Sequence, residues 1–402
     1  MAEAEKMRRI AVVGASLAGT RAAEALRRRG FDGELTLIGA EPVPAYQRPA
    51  LSKRYLLGDA DAEDIALPSP RDDMGIRLRL ATRAVRLDLA ERRLWLASGR
   101  RAEPEPLPYD GLVIACGTTA RTLPGKLPEG VHTLRTEADA RALRADLRRG
   151  TPRVAVVGGG LVGQEVAATA RKLGHEVTLI DPLPAPGVRA LGLPVARMLA
   201  ALHAEHGTRL RLGVGVAAVE GEPRITGVRL TDGSVVVADV VVVAIGVLPA
   251  TQWLEGSGLT LENGLCCSPN LAVLGAGSIT AAGDVARWHD PGSGRSLRVE
   301  HWENALRQAE VAARTLLEGP DAPAFDEVPM FWTSLYGLGL QVLGHPGQED
   351  TLHVVEGDLA ARRCIAVYRD GSRVTGVVLV NAPHRLRDYR AALRNGTPQP
   401  AA

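Results

Sequence analysis

The sequence predicts an α/β protein: two Rossmann-like β-α-β domains, followed by a small α+β domain at the C-terminal end. Three observations predict it. A strand, a glycine turn and a helix occur early in the chain as "VVGASLAGTRAAEALRRRG", Val12 to Gly30, and recur as "VVGGGLVGQEVAATARKLG", Val156 to Gly174. The chain has 402 residues, more than one hydrophobic core normally serves. Past Gly319 the alternation of strand and helix gives way to short β runs.

Taken in order, Arg8 to Val13 reads as a buried strand, Leu17 to Arg29 as a helix and Glu34 to Ile38 as the next strand. Arg153 to Val157, Leu161 to Leu173 and Glu176 to Ile180 repeat the unit. Each helix ends in a basic turn followed by glycine, Gly30 or Gly174, an ordinary stop signal. Short β segments follow the first unit at Arg92–Ala97 and Gly111–Ala115. Others follow the second at Val228–Leu230, Val235–Val237 and Val240–Ile245, with Thr231 to Ser234 as a hairpin turn. "GPDAPAF" reads as a linker. Beyond it lie β runs at Gln341–Leu343, Cys364–Tyr368 and Val374–Val380, then a loose tail from Asn395 to Ala402.

Composition narrows the function. A net charge of +2 gives no basis for wholesale nucleic-acid or membrane binding. No apolar run is long enough to span a bilayer, and the first one, Ile10 to Val13, is too short for a secretion signal. Cys116, Cys266, Cys267 and Cys364 form no C-x-x-C and no metal-ligand spacing, which fits a reducing, cytoplasmic setting and no metal. Lysine is scarce: Lys6, Lys53, Lys126 and Lys172 are the four in the chain, so a lysine inside a motif stands out.

The glycine turns carry the chemistry. In a dinucleotide fold the first glycine permits the tight turn, the second lets backbone approach a diphosphate, and the third lets helix and strand pack closely. The free N–H groups of the first helical turn then face the anion. The second loop is complete, with Gly158, Gly160 and Gly163, first-turn residues Leu161 and Val162, and Asp181 closing "VTLID". The first has Gly14, Ser16 and Gly19, with Leu17 and Ala18 in the first turn and Glu41 after "LTLIG". Ser16 stands where the middle glycine is expected. Glycines needed only for packing would account for one such loop. Two, each with strand, helix and terminal acid in order, point to two dinucleotides. Asp181 attracts ribose hydroxyls and repels a 2′-phosphate, which favours NADH over NADPH, while Arg189 downstream partly offsets that repulsion.

Further segments carry a resemblance: "YQRPALSKRYLLG" (Tyr46–Gly58), "AAGDVA" (Ala281–Ala286), "RVEHWENA" (Arg298–Ala305) and "VPMFWTSLYGLGLQVLG" (Val328–Gly344). Together with the two loops, these resemble the NADH-dependent ferredoxin reductases of oxygenase and cytochrome P450 systems, the putidaredoxin reductase and rubredoxin reductase group. The resemblance covers nearly the whole chain in order. It implies a glutathione-reductase-like arrangement: an FAD domain of residues 1–115 and 246–320, an NAD domain of 116–245, and a C-terminal domain of 321–402.

By motif position the resemblance places Gly14, Ser16, Gly19 and Glu41 at the adenosine half of FAD. It adds Arg48 and Lys53 from "RPALSK", Arg121 from "ACGTTARTLPG", and Gly283 and Asp284 from "GDVA". Lys53 is expected to stabilise the reduced flavin and to pair with Glu165, the acid of the second loop's helix. An exposed pair of charges would instead contribute little. Trp302 is expected near the flavin, and Gly246 is expected to leave room for the nicotinamide. The chain departs from the family at Cys116 (threonine), Ala120 (proline), His301 (serine), Ser334 (aspartate) and Leu335 (glutamine). The last three fall in segments expected near flavin or partner, and they leave partner identity open.

The expected enzyme passes a hydride from NADH to bound FAD, then single electrons to a [2Fe-2S] or similar iron–sulfur ferredoxin that feeds a P450 or oxygenase. The lack of a C-x-x-C, and of any cysteine in "RPALSK", argues against disulfide and CoA-disulfide reductase chemistry. Two alternatives stay open: a rubredoxin reductase, and an NADH-sensing scaffold resembling apoptosis-inducing factor. An acidic ferredoxin calls for a basic dock, for which Arg295, Arg298, Arg314, Arg385, Arg387 and Arg390 are candidates.

Overall fold

A computed structural model of the chain describes residues 7–70, 72–99, 103–347 and 349–395. Most of the expected tail lies outside them. The chain divides into two compact units: Met1–Gln47, Ala66–Thr119 and Leu248–Glu327 make the first, and Arg48–Ile65, Ala120–Val247 and Val328–Ala402 the second.

The first unit is built on a five-stranded parallel sheet, ordered Ile279–Ala281, Gly111–Ile114, Arg9–Val13, Glu34–Ile38, Ile76–Arg79. The inner strands Arg9–Val13, Glu34–Ile38 and Gly111–Ile114 are largely buried because helices cover a parallel sheet, while the edge strand Ile76–Arg79 is partly exposed and carries two arginines. Helix Leu17–Arg28 buries Leu17, Ala18, Ala22, Ala23, Ala25 and Leu26. Its small alanines allow close approach to the sheet and to helix Trp302–Glu318, which buries Ala305, Ala309, Ala312 and Ala313 in return. Trp288 and Phe325 meet edge to face at 5.5 Å in the same core.

The second unit repeats the parallel sheet: Arg209–Leu212, Val177–Asp181, Val154–Val157, Val240–Val243, Val131–Thr133. Helix Leu161–Lys172 links its central strands. A five-stranded antiparallel sheet, Met330–Leu335, Leu338–Gly344, Arg373–Val380, Arg363–Asp370 and Thr351–Asp358, completes the C-terminal part with helix Leu386–Arg394. Helix Val188–Glu205 shares one core with that sheet, Leu191, Val195 and Leu199 against Leu340, Val342 and Tyr368. Each fully buried Leu or Val there contributes about 1.5–3 kcal/mol.

Two differences from expectation have physical causes. Strand Thr351–Asp358 lies at a sheet edge and is largely exposed, so it carries none of the apolar alternation that marks a strand. Residues 48–65, placed by the resemblance with the first domain, group with the second unit, where Leu56 packs among Leu143, Val166 and Val240.

Candidate active site

The first glycine loop joins strand Arg9–Val13 to helix Leu17–Arg28. Gly14 has φ +114°, and a Cβ there would collide with the Ala115 carbonyl, so only glycine fits. A Cβ at Gly19 would strike the Gly14 carbonyl, which is the close helix–strand approach the spacing predicts. Ser16 is the helix N-cap, and its hydroxyl makes no capping bond. The first-turn amides of Leu17 and Ala18 therefore present a donor set suited to an anion. Glu41, beyond the second strand, accepts a hydrogen bond from the Tyr46 hydroxyl at 2.6 Å. Gly283 and Asp284 form a short 3-10 turn, Gly283–Val285, in this same unit. A Cβ on Gly283 would lie 3.1 Å from that of Ala18, so the turn sits against the loop helix. The Gly283 N–H donates to the buried Gln308 at 2.8 Å, and the Thr118 hydroxyl donates to Asp284 at 3.3 Å. Trp302 is half-buried at the first position of its helix and packs against the unit's core.

The second loop has the same construction. Gly158 takes φ +106° against the Ala244 carbonyl, and Gly163 closes on Gly158. Gly160 is different: its φ is −64°, and a Cβ on it would meet nothing within 4 Å. Neither backbone strain nor packing requires glycine at 160. A cradle kept clear at the N-terminus of helix Leu161–Lys172, beside exposed Val162, fits a diphosphate. Asp181 is buried, and its carboxylate accepts the amides of Gly159 at 2.5 Å and Leu183 at 2.8 Å. Arg189 is exposed on the first turn of helix Val188–Glu205. Gly246, φ +98°, accepts the Arg121 amide at 2.9 Å, and the exposed Arg121 side chain turns to the Val247 carbonyl.

Segment 48–65 supplies the charged centre of the second unit. Leu51–Tyr55 is a widened helical turn, with Lys53 off helical geometry at φ −120° and ψ −110°. From it the Lys53 ammonium reaches Glu165 Oε2 at 2.6 Å, with side-chain exposures of 27% and 7%. The same oxygen accepts the Ser52 hydroxyl at 2.5 Å, and Oε1 accepts the Thr333 hydroxyl at 2.6 Å. Arg48 donates to the Arg135 carbonyl at 2.6 Å. The structure thus joins Lys53 to Glu165, as the motifs suggested, and adds Ser52 and Thr333. Neither had a signal in the sequence, since a lone hydroxyl residue has no diagnostic spacing.

The thiols stand apart from this chemistry. All four cysteines are free, and burial pushes Cys116 up to about 11, so it stays a thiol at neutral pH. No cluster of His, Cys, Asp or Glu suited to a metal occurs among the described residues. No described helix is long and apolar enough to cross a membrane.

Several candidate docking arginines have partners within the chain. Arg298 is 9% exposed, bonded to the Asp284 carbonyl and Glu300. Arg314 holds the Pro323 carbonyl, Arg385 faces Glu356 and Asp388, and Arg390 touches the Met330 sulfur. Arg295 and Arg387 are exposed.

Comparison with known proteins shows the family. Residues 8–309 match the pyridine nucleotide-disulphide oxidoreductase family, and residues 330–402 match the reductase C-terminal family. The chain belongs to the pyridine nucleotide-disulphide oxidoreductases; it is an oxidoreductase whose cofactors are FAD and NADH. It is 41% identical to the ferredoxin–NAD(+) reductase component of the anthranilate 1,2-dioxygenase system of Burkholderia cepacia, over 95% of this chain and 92% of that one. It is 37% identical to rhodocoxin reductase of Rhodococcus erythropolis, over 95% and 88%. Among solved structures it is similar to the covalent putidaredoxin reductase–putidaredoxin complex, with TM-score 0.90 and 32% identity over 97% and 93% of the two chains.

Proposed function

We propose that this chain is the reductase component that carries electrons from NADH to an iron–sulfur ferredoxin serving an oxygenase or a cytochrome P450. The observation that carries the reading is the Lys53–Glu165 pair, with Glu165 on the helix of the second glycine loop and Lys53 on the turn Leu51–Tyr55. Bound FAD supplies the redox chemistry, taking a hydride from NADH and yielding electrons one at a time. The protein supplies binding, orientation and charge.

The first-turn amides after Gly14 and Ser16 hold the flavin dinucleotide's diphosphate, while Glu41 takes its adenosine ribose. Arg48, Arg121, Gly283, Asp284 and Trp302 serve its remaining contacts. Gly158, Gly160, Leu161, Val162 and Gly163 hold the diphosphate of NADH, Asp181 its ribose, and Gly246 leaves space for the nicotinamide. Arg189 flanks the ribose end. Lys53 places positive charge where electron density accumulates, and Glu165 keeps the ammonium on station. No thiol takes part, consistent with the raised Cys116. Unbridged Cys266 and Cys267 suit a reducing, cytoplasmic setting.

Stopped-flow mixing of the purified yellow protein with NADH, NADPH and candidate ferredoxins tests the reading. Rapid bleaching by NADH and rapid recovery with ferredoxin are expected. A preparation that takes up no flavin, or one that stays reduced in ferredoxin and dimerises, would remove it in favour of a sensing scaffold. Raising salt is expected to slow ferredoxin reduction while NADH-to-dye turnover holds.

A further inference from the structure

Three stretches far apart in the sequence meet at one carboxylate. Glu165 comes from the second loop's helix, Ser52 and Lys53 from the turn Leu51–Tyr55, and Thr333 from the C-terminal strand Met330–Leu335. Oε2 takes both the Lys53 ammonium and the Ser52 hydroxyl, and Thr333 donates to Oε1. The last torsion of a glutamate is broad and poorly defined by sterics. Contacts on one oxygen leave the carboxylate plane free to turn, whereas a donor on each oxygen fixes it. Thr333 is 2% exposed, and its strand is registered against Leu338–Gly344, with Thr333 opposite Leu340. Its hydroxyl therefore rides on a rigid element. Ser52 is braced too, since its carbonyl accepts the Thr169 hydroxyl at 2.7 Å from the same helix as Glu165.

We propose that Thr333 is a positioning residue: through Glu165 it sets where the Lys53 ammonium stands, so the C-terminal sheet shapes the redox centre. The proposal rests on the functional reading above in assigning Lys53 to the flavin.

Two variants test it, Thr333→Val, which keeps shape and removes the hydroxyl, and Thr333→Ser, which keeps the hydroxyl. In flavin-free protein, acylation of Lys53 by an amine reagent is followed by peptide mass spectrometry, with Lys126 and Lys172 as internal references. In flavin-loaded protein, the midpoint potential and the rate of reduction by NADH are measured. Thr333→Val is expected to acylate at Lys53 several-fold faster, to lower the flavin potential and to be reduced about tenfold more slowly. Thr333→Ser is expected to restore all three. Wild-type values in Thr333→Val, or equal losses in both variants, overturn the proposal, the second because packing alone would then explain them. Should Thr333→Val fail to fold, Thr333→Ala decides by the same readings. A wild-type protein that NADH does not reduce overturns the functional reading, while Lys53 acylation still decides whether Thr333 holds the pair.

Discussion

Asp181 Oδ2 accepts the backbone N–H of Gly159 at 2.5 Å, and its other oxygen accepts that of Leu183 at 2.8 Å. The carboxylate is thus fixed by main chain on both sides, and it is a preset feature of the loop.

Asp181→Asn is expected to remove the charge and to keep one of these two bonds, since its amide oxygen can accept one backbone N–H while its NH2 can accept none. The preference for NADH over NADPH should fall about tenfold, since a 2′-phosphate no longer meets a like charge. KM values for the two cofactors measure it. Gly159→Ala puts a Cβ 2.9 Å from Asp181 Oδ2 and 3.0 Å from Pro186 Cβ, so it should weaken NADH binding while leaving the preference more nearly intact.

Lys53→Met is expected to leave FAD bound and to slow its reduction by NADH about a hundredfold, the scale of one lost electrostatic donor. Glu165→Gln should slow it less, because Ser52 and Thr333 still hold the side chain. Single-turnover bleaching of the flavin absorbance separates the two.

The glycines divide into two groups by substitution. Gly14→Ala is expected to cost more than about 2 kcal/mol of stability and to yield flavin-poor protein, because φ is +114° and the Ala115 carbonyl blocks the Cβ. Gly160→Ala should melt as wild type does but bind NADH weakly, since φ is −64° and the space around the Cβ is open. Thermal melts and NADH titration of the two variants give the contrast.

His203 is fully buried, with its ring nitrogen 3.1 Å from the Tyr336 hydroxyl. Burial, with His206 nearby, lowers its pKa from 6.5 to about 4. The folded state therefore favours neutral imidazole. This contribution is complete above pH ~6.5 and is lost as pH falls from there toward ~4, by about 3 kcal/mol in all. Urea midpoints between pH 4 and 7 should show the slope, and His203→Leu should flatten it.

Both glycine turns were legible because backbone sterics write them into the sequence: Gly14 and Gly158 need left-handed φ, and Gly19 and Gly163 need close approach. Asp181 followed from its place at the end of the strand after the second turn, and Glu165 from the resemblance. Ser52 and Thr333 were not legible, because their role depends on chain segments over a hundred residues from Glu165, which no local pattern records. The surroundings of the arginines were illegible for a related reason. Arg298 looks like any surface cation in sequence, yet its side chain is only 9% exposed and donates to the Asp284 carbonyl.

The first unit draws its central sheet from Arg9–Val13 at one extreme and Ile279–Ala281 at the other, with the whole stretch Ala120–Val247 spent elsewhere. During vectorial synthesis, the strand that emerges first must wait unfinished while well over a hundred residues leave the ribosome. Nascent chains that have not yet released Ile279–Ala281 should therefore stay protease-sensitive around Leu17–Arg28, and are expected to hold flavin nucleotide poorly.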